Sequence, residues 1–311
     1  MIRTDFKNLL DILDYYKDNA TCIELLEHQL WGDGEPVCPH CKHVGAYRTN
    51  RGFRCKDKGC QKKFTVITGT VFESSKIKLR YWFAALYLLS AHRKGISSHQ
   101  LARDLGLTQK TAWFILHRLR EMLKVENPAL LDGVVEVDCT FYGGDRKNKH
   151  AKKRKELAEQ HGKAGTNDKQ PMVGILERGG NVVAFKVEGE GSRFVRPIIN
   201  KTISKDAQAV VTDAHVGYSR LNFNFNHVVV NHSAGEYTKG EFSTNNIESF
   251  WSQLKRGVNG IQHHISVKHL DRYCLEYAYR YNNRKTEDTA RFSGVLKNSY
   301  GRLKYADLIA E

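Results

Sequence analysis

The 311-residue chain lacks any run of 18 or more apolar residues, so the sequence predicts no membrane-spanning helix. Residues 1–20 carry acidic side chains throughout and contain no uninterrupted apolar stretch, which argues against a signal peptide. The sequence also lacks internal repeats. We therefore expect an intracellular, cytoplasmic protein with no membrane partner.

Acidic residues are scarce relative to basic ones. The chain has 34 Asp and Glu against 49 Lys and Arg, and its formal net charge is +15. A hydrophobic fraction of 41% is typical of a folded protein rather than a disordered one. Because the basic excess extends over both halves, it indicates a long polyanion as partner, with simple solubility as the alternative.

Composition divides the chain into five regions. A helical N-terminal segment over 1–30 is followed by a stretch rich in Gly, Cys and Lys over 31–70. Residues 71–130 have helical periodicity again. Over 131–290, short β-branched runs alternate with helical patterns, which predicts an α/β domain. A C-terminal tail, 291–311, completes the chain.

Four of the seven cysteines lie close together in two pairs, Cys38 with Cys41 and Cys55 with Cys60. Two such pairs joined by a short hairpin place four thiolates around one Zn²⁺ at about 2.3 Å. His40 and His43 are nearby substitutes, but four cysteines complete the shell. Disulfides are the alternative, which an intracellular location disfavours. We predict a zinc ribbon that depends on one structural zinc ion for its folding.

The segment 94–123 has the pattern of a helix-turn-helix. Ser97 or Ser98 caps a first helix, Gly106 makes the turn, and Thr108 caps a second helix. Four side chains of the second helix would face a DNA major groove: Gln109, Lys110, Trp113 and His117. A small helical bundle without DNA-binding function would show the same pattern.

Two predicted strands each carry an aspartate near their end, and a later helix carries a glutamate. Asp138 lies in "GVVEVDCTFYGG", Asp213 in "AQAVVTDAHVGY", and Glu248 in the amphipathic stretch 241–257. Three carboxylates meeting at strand ends would repel one another by on the order of 4 kcal/mol per pair at 4 Å. Two Mg²⁺ ions would remove that cost and could support phosphoryl transfer. Lys255, two turns further along the helix, would neutralise a substrate phosphate.

Each carboxylate also has a structural interpretation. Glu248 follows Asn245 by three residues, so it could belong to a capping box. Asp213 could cap the next element, and Glu136 faces the same side of its strand as Asp138 and rivals it as a ligand. The sequence alone leaves these alternatives open.

The segment 145–169 is rich in Lys and Arg and has no aromatic residue. We predict a mobile loop that contacts DNA. Its most basic run contains Lys152, Lys153, Arg154 and Lys155.

The order of these features resembles the DDE transposases of bacterial insertion sequences, specifically the insertion-sequence 1595 family with its ISXO-like domain. The resemblance covers residues from about 20 to 285. The stretches that carry it are "LWGDGEPVCPHC", "DCTFYGGDRKNKH", "VVTDAH", "HSAGEY", "TNNIESFWSQLKRG" and "HHISVKHLDRYCLEYAYRYNNR".

This resemblance implies an RNase H-like catalytic domain that cleaves and joins DNA with two Mg²⁺ or Mn²⁺ ions. It identifies Asp138, Asp213 and Glu248 as the metal-binding acids. Relatives usually have an acid where this chain has Cys139, which would place a thiol beside the metals. Some relatives use Asn as the third ligand, so Asn246 rivals Glu248. The resemblance also implies a homo-oligomer assembled on DNA in the nucleoid.

We therefore predict a transposase that binds terminal inverted repeats and catalyses strand cleavage and transfer into target DNA. One alternative is a DNA-binding regulator with an inactive catalytic domain. Another is an RNase H-like nuclease or resolvase, which would cleave DNA without joining it.

Overall fold

The computed structural model describes residues 6, 8–125 and 128–310. The chain divides into two compact units, Met1–Lys124 with Lys285–Glu311, and Val125–Arg284. We call them the N-terminal unit and the sheet unit. Parts of three predicted regions lie outside the described residues, namely 1–5 and 7 of the helical segment, 126–127 of the 71–130 region, and 311 of the tail.

Helices and strands cover most of the described chain. The α-helices are α1 (Leu9–Tyr15), α2 (Asn19–Trp31), α3 (Leu79–Ala91), α4 (Ser98–Leu105), α5 (Gln109–Glu121), α6 (Ala151–His161), α7 (Ser192–Thr202), α8 (Asn245–Gly257), α9 (Leu270–Asn282), α10 (Asp288–Leu296) and α11 (Tyr305–Ile309). The strands are β1 (Ala46–Thr49), β2 (Gly52–Cys55), β3 (Lys63–Phe64), β4 (Val134–Tyr142), β5 (Gln170–Glu177), β6 (Val182–Lys186), β7 (Ala209–Asp213) and β8 (His227–Val230). None of the helices that the structure describes is long and apolar enough to cross a lipid bilayer.

The ribbon of the N-terminal unit is the antiparallel sheet β1-β2-β3. Its interior is small and aromatic. Phe53 and Phe64 stack with ring centroids 5.6 Å apart, and Trp31 at the end of α2 packs edge-on against Phe53. Cys38 and Cys55 are buried in the same cluster. So few apolar side chains bury too little surface to fold this segment alone, which is the situation in which a structural metal contributes most.

The predicted pair of helices with its caps and turn is present in this unit. Ser97 Oγ accepts a hydrogen bond from the Gln100 N–H at 3.1 Å and caps α4. Gly106 ends α4 with a φ of 63°, a left-handed conformation that glycine adopts without a steric cost. Thr108 Oγ1 then accepts from the Thr111 N–H at 3.3 Å and caps α5.

Residues 291–310 are not a separate tail, contrary to the prediction. They belong to the N-terminal unit, and the sheet unit ends at Arg284 rather than at 290. Phe292 of α10 packs against Phe83 of α3 with ring centroids 5.9 Å apart, and Tyr305 of α11 contacts Phe114 of α5. The short apolar pattern of α10 finds its partner more than 200 residues upstream, and local periodicity carries no information about such a partner.

The sheet unit is built on five strands in the order β6-β5-β4-β7-β8. β4, β5 and β6 are antiparallel neighbours, whereas β4, β7 and β8 are parallel. Helix α7 contributes to the core on one face of the sheet, and α8 and α9 contribute to the core on the other. The predicted α/β architecture is confirmed, and β5 and β6 form a hairpin that turns at Gly179 and Gly180.

The basic segment 145–169 is not the mobile loop that its composition predicted. Most of it forms helix α6, flanked by 3-10 turns at Arg146–Asn148 and Thr166–Asp168. Arg146 closes the segment at its base, because its Nε and Nη2 donate to the two Asp168 carboxylate oxygens at 2.6 Å each. Its Nη1 also donates to the Gly162 carbonyl at 2.6 Å. One ion pair between the ends of the segment therefore orders a helix that has a single buried residue, Leu157.

Candidate active site and metal centre

The four cysteines of the ribbon form a compact cluster. Their sulfur atoms all lie within 4.8 Å of one another, with Cys38 and Cys60 at 3.8 Å and Cys41 and Cys55 at 3.5 Å. A disulfide would require about 2 Å, and none of these cysteines is disulfide-bonded. Four sulfurs placed tetrahedrally at 2.3 Å from Zn²⁺ are about 3.8 Å apart. The cluster therefore fits one structural zinc ion.

Strand pairing brings two of the predicted carboxylates side by side in the sheet unit. β4 and β7 are parallel, and Val137 pairs with Thr212 in their register. Asp138 and Asp213 are the next residues on the two strands, at the ends where the pairing stops. Asp213 also has a local role, because its Oδ1 accepts a hydrogen bond from the His215 N–H at 3.1 Å.

Helix α8 crosses the same face of the sheet and carries the third carboxylate. The predicted apolar side of the helix is buried there, with Ile247, Phe250, Trp251 and Leu254 in the core. Gly174 of β5 pairs with Asp138 and permits this close packing, since a Cβ there would lie 2.5 Å from the Trp251 ring and 2.8 Å from Ile247. The missing side chain lets α8 lie directly over β5, which brings Glu248 toward the strand ends.

The charged side chains around Asp138 affect its protonation. Burial raises the pKa of Asp138 to about 7, and the negative charges of Asp213 and Glu248 contribute to the increase. The positive charge of Lys255 and the Cys139 backbone N–H act in the opposite direction. A half-buried carboxylate with two negatively charged neighbours is stabilised by a divalent cation, and carboxylate oxygens are the ligands Mg²⁺ prefers.

The spacing of the carboxylates differs from that of the cysteines. Among the described residues, the cysteines are the only set of three or more Cys, His, Asp or Glu whose ligand atoms all lie within 4.8 Å of one another. Asp138, Asp213 and Glu248 do not form such a set. Their wider spacing is compatible with two ions, since such ions are themselves about 3.5–4 Å apart.

Glu248 is half-exposed and has two polar neighbours. The Thr244 hydroxyl donates to its Oε1 at 3.0 Å, and the His232 Nε2 lies 3.8 Å from the same oxygen. Because α8 begins at Asn245 with Thr244 as its N-cap, Glu248 is the fourth residue of the helix and not the third. The capping-box interpretation is therefore wrong.

Glu136, the predicted rival of Asp138, is fully buried and its carboxylate is already occupied. It accepts hydrogen bonds from the backbone N–H groups of Asn246 and Ile247 at 2.9 and 3.0 Å, and it pairs with Arg178 at 3.2 Å. The Asn246 side-chain amide donates to the same carboxylate at 2.7 Å. Glu136 and Asn246, the two alternative metal ligands, therefore contact each other.

Lys255 lies on the same face of the sheet as the carboxylates. Its Nζ donates to the Thr140 hydroxyl at 2.6 Å, and Thr140 follows Asp138 by two positions on β4. The alternation of a strand puts Glu136, Asp138 and Thr140 on one side. Cys139 consequently points to the opposite side, where it packs in the core with α7, and burial raises its pKa to about 12. The expectation of a thiol beside the metals is wrong for that reason.

The predicted DNA-contacting side chains of α5 divide into two groups. Gln109 and Lys110 are exposed and Trp113 is half-buried. His117 has no exposed surface and lies against the Trp113 ring, with centroids 4.5 Å apart. The prediction for His117 is wrong, because the second half of α5 is buried on every side and no longer offers a solvent face. On α6, by contrast, Lys152, Lys153, Arg154 and Lys155 are all exposed.

Comparison with known proteins gives two family matches. Residues 130–282 match the ISXO2-like transposase domain, and residues 17–63 match the transposase zinc-ribbon domain. The chain belongs to the insertion-sequence 1595 family of transposases. A curated relative, an "uncharacterized protein in transposable element ISH50" from Halobacterium salinarum, is 29% identical over 255 residues. That similarity covers 76% of this chain and 81% of the relative.

Three contacts of this insertion-sequence 1595 family member were not predicted from its sequence. Thr140 beside Lys255 could have been found, since it follows Asp138 by two on a strand. No sequence pattern indicates the other two contacts, that of Arg178 with Glu136 and that of Thr244 with Glu248. Arg178 reaches its partner only because the hairpin strand β5 is paired with β4.

Proposed function

We propose that this chain is a transposase that binds the terminal inverted repeats of an insertion sequence and catalyses divalent-metal-dependent cleavage and transfer of DNA strands. The observation that carries the proposal is the strand register that places Asp138 of β4 beside Asp213 of β7, with α8 and its Glu248 packed on the same face of the sheet. The pKa of Asp138, raised by burial and by the charges of Asp213 and Glu248, supports it. Three carboxylates from two parallel strands and one helix share an electrostatic environment. Such a group is chemically suited to hard divalent cations.

The sheet order supports an RNase H-like catalytic domain. In the sheet β6-β5-β4-β7-β8, the strands β4, β5 and β6 are antiparallel neighbours. The strands β7 and β8 follow them in the chain and run parallel to β4. Asp138 lies on the central strand and Asp213 on its parallel neighbour. This arrangement agrees with the fold that the family resemblance implies.

Asp138, Asp213 and Glu248 would hold two Mg²⁺ or Mn²⁺ ions. When bound, the ions supply Lewis-acid stabilisation of the charge that develops on the phosphate. Lys255, whose Nζ donates to the Thr140 hydroxyl, would bind a non-bridging phosphate oxygen. In the first step, water attacks the phosphodiester at the element end and releases a 3′-hydroxyl. That hydroxyl then attacks a target phosphodiester and displaces a target 3′-oxygen.

Two surfaces are candidates for DNA contact. Gln109, Lys110 and Trp113 at the start of α5 would read base edges in a major groove, as in a helix-turn-helix. The basic run of α6, residues 152–155, would contact phosphates near the catalytic groups, an interaction that weakens as salt concentration rises. The ribbon, with zinc held by its four cysteines, would add to binding of the ends. Since transposition joins two ends, the assembly on DNA would be a homo-oligomer.

The test uses a linear DNA that carries the DNA flanking the gene as candidate ends, together with a target plasmid. We expect nicking and joined products in Mg²⁺ or Mn²⁺, and neither product with Asp138→Asn, Asp213→Asn or Glu248→Gln. The same variants should bind the ends as the unmodified protein does. Unchanged nicking by Glu248→Gln would contradict the assignment of the third ligand.

Two other outcomes would replace the proposal. End binding without cleavage in any divalent metal would identify a DNA-binding regulator with an inactive catalytic domain. Cleavage without joined products would identify a nuclease or resolvase. Replacing Lys152, Lys153, Arg154 and Lys155 by glutamine should weaken binding to all DNA sequences and reduce its dependence on salt.

A further inference from the structure

One face of β4 meets helix α8 at successive points. Glu136 contacts the first turn of α8, Asp138 shares the electrostatic environment of Glu248, and Thr140 accepts a hydrogen bond from Lys255. These β4 residues are two apart along the strand, and their partners follow in the same order along the helix. Two hydrogen-bonded contacts therefore flank the pair of carboxylates in the middle.

The first of these contacts is the more extensive. Glu136 has no exposed surface. Its Oε2 accepts hydrogen bonds from the backbone N–H groups of Asn246 and Ile247, and its Oε1 accepts one from the Asn246 side-chain amide at 2.7 Å. A carboxylate at a helix N-terminus also interacts favourably with the helix dipole. Both oxygens are in use, which disfavours Glu136 as a metal ligand.

Helix α8 has no side-chain cap of its own. The N-cap residue, Thr244, makes no capping hydrogen bond, and its hydroxyl donates to Glu248 instead. The first N–H groups of a helix lack intrahelical partners. For α8, Glu136 supplies those partners from a residue more than 100 positions upstream in the chain.

Arg178 completes this contact. Its Nε and Nη2 lie 3.3 and 3.2 Å from Glu136 Oε1, which compensates the buried negative charge. Its Nη1 donates to the Glu241 carbonyl at 2.8 Å and its Nη2 to the Ser243 carbonyl at 3.3 Å. Arg178 thus binds the segment that leads into α8, while Glu136 binds the first turn.

We propose that Glu136 and Arg178 are positioning residues that set the distance of Glu248 from Asp138 and thereby the affinity of the carboxylate group for divalent metal. The inference rests on the proposed function, since it assumes that these carboxylates bind metal. Groups that orient metal ligands typically change metal affinity or activity by about 10–100-fold when they are replaced.

The test measures Mn²⁺ binding to the full-length protein, without DNA, by electron paramagnetic resonance. Glu136→Gln retains the size of the side chain but turns an amide NH₂ toward N–H donors. We expect it to weaken Mn²⁺ binding by about 10-fold or more. The matched control is Glu276→Gln, which replaces an equally buried carboxylate paired with Arg280 in α9 and should leave Mn²⁺ affinity unchanged.

Arg178→Lys is the second variant, in case Glu136→Gln does not fold. It retains the positive charge but loses the contacts to the segment before α8, so Mn²⁺ affinity should fall several-fold. Hydrogen exchange of the Asn246 and Ile247 amides should accelerate in both variants. Mn²⁺ affinity equal to that of the unmodified protein, or reduced no more than by Glu276→Gln, would overturn the inference.

Asp138→Asn separates this inference from the proposed function. If Asp138→Asn abolishes Mn²⁺ binding while Glu136→Gln and Arg178→Lys do not alter it, the positioning role alone is wrong. If Asp138→Asn leaves Mn²⁺ affinity unchanged, the proposed metal site is wrong and the positioning role falls with it.

Discussion

In the ribbon, four cysteines from one short stretch form the candidate zinc site, whereas in the sheet unit three carboxylates from β4, β7 and α8 form the candidate magnesium site. The cysteines all lie within 4.8 Å of one another beside a core of three aromatic rings. The carboxylates stand on a sheet with a large apolar core on each face. The comparison suggests that metal supplies the folding energy of the first site, while the second site is folded before any metal binds.

The largest effect on folding is expected for Cys38→Ser. Loss of one thiolate should remove the zinc and unfold the ribbon, because zinc binding contributes on the order of 10 kcal/mol to folding of such segments. Zinc content per chain and protease resistance of residues 36–66 measure this. Cys274→Ala in α9 is the control and should retain one zinc ion. A ribbon that stays folded in Cys38→Ser without zinc would remove the contrast between the two sites.

The next largest effect is expected for Gly174→Ala in the sheet unit. The added methyl group would collide with Trp251 and Ile247 and push α8 away from the sheet, at a cost of about 1–3 kcal/mol. Cleavage should fall more than stability, since Glu248 moves with α8. Denaturant unfolding and the nicking assay measure the two effects. Gly165→Ala, at a position with open space, is the control and should change neither.

A smaller effect, of opposite sign, is expected for Asp138→Asn without added divalent metal. An aspartate whose folded-state pKa is raised to about 7 destabilises the fold above its unfolded value near 4, and fully so above pH 7. The variant should therefore be more stable than the unmodified protein at pH 8, by about 1 kcal/mol given partial solvent exposure, and equal to it near pH 4.

The measurement for Asp138→Asn is thermal unfolding across that pH range. The difference in stability should grow as pH rises from 4 to 7. Added Mg²⁺ should stabilise only the unmodified protein, because a bound ligand stabilises the state that binds it. A constant difference at every pH would contradict the electrostatic account of the site.

The smallest effect on folding is expected for Lys255→Met, because the side chain is exposed and its stem is retained. Stability should change by less than about 0.5 kcal/mol. Cleavage should nonetheless fall about 10–100-fold, because the variant loses the positive charge that we propose binds the substrate phosphate. Thr140→Val, which removes the hydroxyl that orients the ammonium, should give a partial loss. Equal loss of stability and cleavage would assign Lys255 a structural role instead.

Sequence spacing was informative where contacts are local. The cysteine pairs, the caps at Ser97 and Thr108 and the buried side of α8 are each encoded within a few residues, and each was predicted. Where the environment of a residue depends on segments far away in the chain, the prediction from sequence pattern was wrong. His117 lies at a position that helical periodicity places outward, yet its surroundings bury it. The composition of 145–169 predicted a loop, but the Arg146–Asp168 pair orders it as a helix.

The sequence by itself predicted the cysteine cluster, the two capped helices, the strands and a set of candidate acidic residues, because these follow from spacing, periodicity and side-chain chemistry. Only the tertiary structure decided which acids face one another. The strand register places Asp138 beside Asp213, and the absence of a side chain at Gly174 allows α8 to pack closely on the sheet. The carboxylate of Glu136 accepts hydrogen bonds at the N-terminus of α8. Such choices depend on packing between segments far apart in the chain, where the energies of burial and charge are settled by geometry that no local pattern contains.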